Sequence, residues 1–257
     1  METVRIAVLV SCTLAAFAVH AAAQTAVQIN EIKVNQSTDI GAPRYELLIR
    51  NDGTADYNGE VNVKEEGHRT SRISASAFRK IAKKIEDIGF FRLEDKYFEL
   101  EIGGEKMMLT DQPTVAITVT AAGKSKTVED SLGAPKRLYE LEQLIFKATN
   151  LSAWLGSWPN FDDVPYCDYF PLHKRMKYRG LLQSYGTGDH PERVAGYDLQ
   201  FINNSLILEL KAARPIEFSR FKDYIVDATG HIERQRSEHV FVVDDIRRVR
   251  PYPKFKR

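Results

Sequence analysis

Between residues 27 and 73, apolar and polar residues alternate, which is the pattern of β-strands with one buried face. Turn signals at Asn51-Asp52-Gly53 and at Glu66-Gly67 separate the later runs. The short connections predict an antiparallel meander. Its strands are predicted at residues 27–34, 45–49, 57–63 and 69–73.

The period then changes to that of a helix, with Ser74 as a suitable N-cap and Gly89 as a suitable stop. Strands at 115–119 and 124–130 follow, and Pro135 opens a second helix. The sequence therefore predicts an α+β domain at 24–150, an antiparallel sheet with two packed helices. The buried stripe of the first helix is predicted to be Phe78, Ile81, Ile85 and Ile88.

Short motifs run through this segment in a fixed order: Tyr57-Asn-Gly59, Phe90-Phe91-Arg-Leu93, Asp111-Gln-Pro113 and Gly133-Ala-Pro135. Their order over about residues 28–149 resembles a bacterial family of exported domains whose function is unknown. The resemblance implies an exported α+β domain and carries over no catalytic residue. Many members have a Cys-Phe-Gly-x-Cys-Pro element before the first tyrosine strand, where this chain has Asp39-Ile-Gly41-Ala-Pro43.

Residues 151–175 are rich in aromatic residues and proline, and we interpret them as a connector that packs two domains together. A sugar-binding groove is the alternative for such a segment. Beyond it, residues 176–250 contain five strand candidates in about 75 residues, which predicts a small, mostly β domain. Its pattern weakly resembles an oligonucleotide/oligosaccharide-binding (OB) barrel. Residues 251–257 are interpreted as a basic tail.

Residues 1–23 have the composition of a bacterial secretory signal peptide. Arg5 precedes an apolar run, and Ala21-Ala22-Ala23 supplies a cleavage pattern that leaves Gln24 as the mature start. The run is shorter than the roughly 20 residues of a membrane-spanning helix, and no later stretch approaches that length. We therefore expect a periplasmic or secreted protein with no transmembrane segment after cleavage. Lipidation of Cys12 is the alternative, but its position early in the apolar run disfavours it.

No catalytic motif occurs in the chain, so the sequence assigns no catalytic, cofactor-binding or metal-binding residue. Cys167 is expected to be a buried, inert thiol, because an acidic neighbour would raise its pKa and the surrounding aromatic residues suggest packing. A nucleophile there is the alternative. A zinc pair formed by His231 and His239 on neighbouring strands is a further alternative.

The net charge is +1, from 36 Lys and Arg against 35 Asp and Glu, which removes the simplest argument for nucleic-acid binding. Positive charge is nevertheless concentrated in residues 247–257, which hold six basic and no acidic residues. We interpret this segment either as a solvated end or as a contact for an anionic envelope surface. The candidate contact residues are Arg247, Arg248, Arg250, Lys254, Lys256 and Arg257.

Together these features predict an exported cell-envelope protein that is a non-enzymatic binding or interaction module. Its partner would be an anionic envelope surface or another envelope protein. The alternative is a periplasmic hydrolase or a metal-dependent enzyme whose site assembles only in three dimensions, which would bring several ionisable groups with shifted pKa values together. Binding of single-stranded nucleic acid by the barrel would instead require exposed aromatic residues on a basic strand face.

Overall fold

The computed structural model describes residues 28–37, 42–108, 113–156, 166–187, 190–202 and 206–253. The predicted signal peptide and Cys12 lie outside these residues. The described chain is mixed α+β, mostly sheet with few helices, and it contains the predicted β-rich second domain. Within this part of the chain, no helix has the length and apolar composition to cross a bilayer.

The first domain is built on an eight-stranded sheet with the order β4-β3-β2-β1-β7-β8-β5-β6. The strands are β1 Ile29–Ser37, β2 Arg44–Arg50, β3 Thr54–Val61, β4 Gly67–Arg72, β5 Lys96–Ile102, β6 Glu105–Met108, β7 Thr114–Ala121 and β8 Lys124–Leu132. The helices are α1 Ala75–Asp87, α2 Lys136–Thr149 and the short α3 Ser152–Leu155. The predicted meander is confirmed, since β1 to β4 pair antiparallel in sequence order.

Helix α1 packs its predicted apolar stripe on this sheet, because all four stripe residues are buried. The side chain of Ser74 accepts a hydrogen bond from the backbone N–H of Ala77 at 3.1 Å, as an N-cap does. The helix stops before Gly89, whose φ of 64° lies in the left-handed region. Local spacing and capping residues were sufficient to predict this element.

Because Ile85 is 1% exposed in the core, we expect Ile85→Ala to lower the free energy of unfolding by about 2–4 kcal/mol. Lys80→Ala on the exposed face of the same helix is the matched control, with an expected change within about 0.5 kcal/mol. Denaturant titration measures both variants. An equal effect of the two substitutions would contradict the packing of α1.

The hairpin of β5 and β6 at the edge of the sheet has no counterpart among the predicted elements. It turns at Gly103-Gly104, where both φ angles are positive, and β5 pairs parallel with β8. A parallel pair joins residues that are distant in sequence, so no local pattern indicates it.

The second domain is a closed five-stranded barrel in which β9 and β10 complete the ring. The strands are β9 Met176–Thr187, β10 His190–Phe201, β11 Leu206–Ala212, β12 Tyr224–Gln235 and β13 Glu238–Pro251. Neighbouring strands are antiparallel except for β11 and β13, which are parallel. Tyr178, Phe201 and Phe241 pack edge to face in the barrel, with ring centroids 5.2–5.3 Å apart in two pairs.

The two domains share apolar packing. Leu100, Ile102 and Leu132 of the first domain belong to the same buried cluster as the barrel interior. Phe170 of the connector lies in that cluster, and its carbonyl accepts a 2.8 Å hydrogen bond from the N–H of Gly103. The hairpin of β5 and β6 therefore packs against the barrel.

Candidate anion-binding face of the barrel

Basic side chains gather on the outer face of the barrel where β9, β12 and β13 lie side by side. Lys177 and Arg179 flank Tyr178, whose side chain is buried inside the barrel, so strand alternation turns both cations outward. In the strand register, Asp227 of β12 lies opposite Arg179 of β9 and opposite Arg247 of β13. One row of side chains thus crosses three strands.

Asp227 is the centre of this row, because five donor contacts from three cations reach its carboxylate. Arg179 donates from Nε to Oδ1 at 2.6 Å and from Nη2 to Oδ2 at 3.1 Å. Arg247 donates from Nε and Nη2 to Oδ2 at 3.2 and 3.0 Å. Lys177 Nζ lies 2.8 Å from Oδ2. We call Lys177, Arg179, Arg247 and the central Asp227 the cation face.

The cation face buries its one negative charge and exposes its positive ones. The Asp227 side chain is 3% exposed, whereas those of Arg179, Lys177 and Arg247 are 28%, 49% and 66% exposed. Hydrogen bonds from Arg179, then from Lys177 and Arg247, hold the pKa of Asp227 far below its usual range. The carboxylate therefore stays ionised, and three cations against one anion leave a net charge of +2.

The other predicted cations lie in different surroundings. Arg250 is opposite Ile225 on β12, two positions from Asp227 on that strand. Arg248 donates from Nε to the carbonyl of Arg220 at 3.0 Å, and its guanidinium lies 4.4 Å from the centre of the Tyr224 ring. Arg248 thus links β13 to the segment that precedes β12. Lys254, Lys256 and Arg257 lie outside the described residues.

Strand β13 continues to Pro251, so Arg247, Arg248 and Arg250 belong to a paired strand. Sequence reasoning found Arg247 but missed Lys177, Arg179 and Asp227. The alternation of β9 indicated that Lys177 and Arg179 share a face. Their approach to Arg247 depends on the register of β12 against both neighbours, which no local pattern gives.

A different part of the outer barrel surface is acidic. Asp198 of β10 lies directly opposite Glu209 of β11, and burial, then the charge of Glu209, raises the pKa of Asp198 to about 6. Tyr185, which is 37% exposed, hydrogen-bonds with Glu209. Its ring lies against Gly196, because a Cβ there would fall 2.3 Å from the Tyr185 hydroxyl. The exposed aromatic residue of this surface therefore sits among carboxylates.

Two carboxyl groups of the first domain belong to half-buried residues. Asp130 of β8 lies two residues beyond the buried Val128, on the face of the sheet that meets the helices, and Glu142 comes from α2. Burial raises the pKa of Asp130 to about 7 and raises that of Glu142 well above its usual value, with the charge of Asp130 as a further cause for Glu142. The backbone N–H of Ala134 donates to Asp130, while Glu142 Oε1 has no hydrogen-bond partner among the described residues.

Comparison with known proteins concerns this first domain. Residues 31–149 match the family model of DUF6438, a domain of unknown function. The match confirms the resemblance of the first domain to an uncharacterised family. No curated protein matches the chain. The DUF6438 segment contains the Asp130–Glu142 pair, whereas the cation face lies in the barrel that follows it.

The remaining candidate groups do not converge. His231 and His239 lie opposite Val242 and Arg234, so they occupy different rungs of the β12–β13 ladder. Each approaches a carboxylate, with His231 Nε2 2.8 Å from Glu233 and His239 Nε2 3.7 Å from Glu105. Over the described ranges, no group of three or more His, Cys, Asp or Glu side chains is positioned to hold a metal ion.

Cys167 is half-buried within the connector. Its thiol donates to the carbonyl oxygen of Tyr169 at 3.7 Å, and burial raises its pKa. A raised pKa keeps a thiol protonated and reduces its nucleophilicity at neutral pH. These surroundings support the interpretation of Cys167 as an inert thiol.

Proposed function

We propose that this protein is an exported, non-enzymatic binding module of the cell envelope whose barrel attaches to an anionic polymer or membrane surface. The observation that carries the proposal is the cation face, in which one buried carboxylate holds two exposed cations and a half-buried one together. Such an arrangement fixes positive charge on a rigid scaffold before any ligand arrives, which lowers the entropy lost on binding. Lys254, Lys256 and Arg257 add three more cations just beyond β13.

We further propose that the barrel is of the OB type. When the five strands are numbered in chain order, they lie around the barrel in the order first, second, third, fifth and fourth. The fourth strand then pairs with the first and closes the barrel. The third and fifth strands are parallel, as β11 and β13 show. This connectivity is that of the five-stranded Greek-key barrels that serve as binding modules.

The charge distribution favours an anionic surface over single-stranded nucleic acid. Nucleic-acid binding by such a barrel combines stacking on exposed aromatic residues with a basic groove for the phosphates. Here the exposed Tyr185 lies beside Asp198 and Glu209, and the cations lie on a different part of the barrel. Stacking on Tyr185 and phosphate contact at the cation face would therefore occur on different parts of the barrel.

Export is supported by the signal-like pattern of residues 1–23. We expect the protein purified after expression in a bacterial host to begin at Gln24. Intact-mass measurement of the exported protein tests this expectation. A mass that corresponds to a diacylglycerol-modified Cys12 would show that the protein is a lipoprotein. A mass that includes residues 1–23 would show that the predicted signal peptide is not cleaved.

Arg247→Gln should weaken binding to phosphatidylglycerol vesicles about fivefold at low salt, since each basic residue near such a surface contributes about 1 kcal/mol. Arg214→Gln is the matched control, because Arg214 is also 66% exposed and also pairs with an aspartate, Asp245. Co-sedimentation at about 20 mM and about 500 mM salt measures both variants, and high salt should release the wild type.

The control variant should bind within about twofold of the wild type, because Arg214 pairs with the exposed Asp245 and does not contact Asp227. Equal losses in the two variants would mean that net charge alone determines binding. No binding of the wild type to anionic vesicles at low salt would contradict the proposed function itself.

A further inference from the structure

We infer that the cation face is a site for one phosphate group in its dianionic, monoester form, with Asp227 as the positioning residue. This inference rests on the proposed function, because it names the ligand chemistry of the same face. A phosphomonoester could reach the site as a free compound or as a lipid head group, and the experiments below separate these two sources.

The hydrogen-bonding geometry suits a tetrahedral oxyanion. Arg247 uses its Nε and Nη2 donors on Asp227, so one edge of its guanidinium is occupied while Nη1 is left for a second acceptor. Its side chain remains 66% exposed, so this second acceptor can come from solvent. The end edge of this guanidinium keeps one N–H of Nη2 beside Nη1, and planar guanidinium groups recognise phosphate through such paired donors.

Asp227 fixes the cations in position for this ligand. Two arginines and a lysine would repel one another without a shared counter-ion, and the carboxylate contacts all three within 3.2 Å. Because the Asp227 side chain is only 3% exposed, a ligand on the outside meets the cations and not the carboxylate. The face is therefore preorganised for an anion.

The charge of the face distinguishes a monoester from a diester. Three cations and one carboxylate give +2, and a phosphomonoester carries about −1.5 to −2 at neutral pH. A diester carries only one negative charge and leaves part of the positive charge uncompensated. The cation face should therefore bind a monoester more tightly than a diester. This preference should exceed the one that general attraction to negative charge would give.

The first experiment uses glycerol 3-phosphate as a soluble probe, titrated into the full chain by calorimetry at constant ionic strength. We expect saturable binding to one site, weakened about tenfold by Arg247→Lys, which keeps the charge but loses the paired donors. Arg214→Lys should leave the affinity unchanged within about twofold. Absence of saturable binding to the wild type overturns the phosphate site.

The second experiment compares vesicles that contain phosphatidic acid, a monoester, with vesicles that contain phosphatidylglycerol, a diester, at equal surface charge. We expect a preference of about tenfold for phosphatidic acid, with competition by glycerol 3-phosphate. Saturable binding of glycerol 3-phosphate without this preference would assign the site to free phosphomonoesters. Equal binding to both lipids, with no saturable binding of the soluble probe, would overturn the inference while leaving the proposed function in place.

Asp227→Asn separates positioning from charge, because it makes the face one charge more positive. General attraction to phosphatidylglycerol should then be kept or increased, whereas the preference for phosphatidic acid should fall to about twofold or less. Retention of the full preference by a folded Asp227→Asn variant would overturn the positioning role. If this variant does not fold, Arg247→Lys gives the same comparison on an exposed side chain. We expect Arg247→Lys to lose the preference for phosphatidic acid, and retention of that preference would contradict the inference.

Discussion

Phe170→Ala should lower the free energy of unfolding by about 3–5 kcal/mol, the largest loss that we expect from a single substitution in this chain. Phe170 is 2% exposed, and its ring lies 5.1 Å from that of Phe201 in an edge-to-face contact. The residue also pairs with Ile102 of the first domain. Its removal leaves a cavity where the two domains share their packing.

Denaturant titration followed by far-UV circular dichroism measures this effect, and the wild type should unfold in one transition because the cluster spans both domains. Tyr169→Ala is the matched control, since Tyr169 is the preceding residue and is 54% exposed. Its expected cost is below about 1 kcal/mol. Similar costs for the two variants would show that the connector does not join the domains through Phe170.

Asp130→Asn should raise the free energy of unfolding by about 2–4 kcal/mol at about pH 8. In the wild type, burial of the Asp130 carboxyl raises its pKa to about 7, so ionisation in the folded state opposes folding. An asparagine keeps an oxygen that can accept from the N–H of Ala134 and carries no charge. It also removes the like charge that contributes to the raised pKa of Glu142.

The pH dependence gives the sign of this effect. The folded pKa of Asp130 lies above its ordinary value, so the folded state keeps a proton that the unfolded state releases above about pH 4. The free energy of unfolding should therefore fall as the pH rises from about 4 to about 7, by at most about 4 kcal/mol from Asp130, and then level off.

Urea titrations at several pH values give the unfolding free energy as a function of pH. The slope of this free energy against pH should be smaller for Asp130→Asn than for the wild type. Glu129→Gln is the control on the same strand, because Glu129 is exposed and pairs with Lys96. It should leave the slope unchanged. The same pH dependence in Asp130→Asn and in the wild type would contradict the raised pKa of this carboxyl group.

Much of the first domain could be predicted from sequence because its elements are locally encoded. The alternation of β1 to β4, the stripe of α1 and the cap at Ser74 each depend on residues within a few positions of one another. The hairpin of β5 and β6 was missed, since its parallel pairing with β8 depends on residues about 30 positions apart. The Asp130–Glu142 pair was missed because it joins strand β8 to helix α2, and local spacing does not indicate how a helix packs on a sheet.

The candidate site was predicted only in part. A concentration of cations near the C-terminus pointed to Arg247, but the sequence does not distinguish it from Arg248, which binds the backbone of Arg220. Asp227 is one acidic residue in a β-strand pattern until the register places cations on both sides of it. Sheet register depends on the whole barrel, so this arrangement emerges only from the fold.

We propose that the position of charge on the barrel, and not net charge, determines binding to an anionic surface. Two double variants that each remove two positive charges test it most directly in vesicle co-sedimentation at low salt: Lys177→Gln with Arg247→Gln on the cation face, and Arg175→Gln with Arg214→Gln beside Asp244 and Asp245. We expect the first to lose at least about tenfold more affinity than the second. Equal losses would contradict the claim.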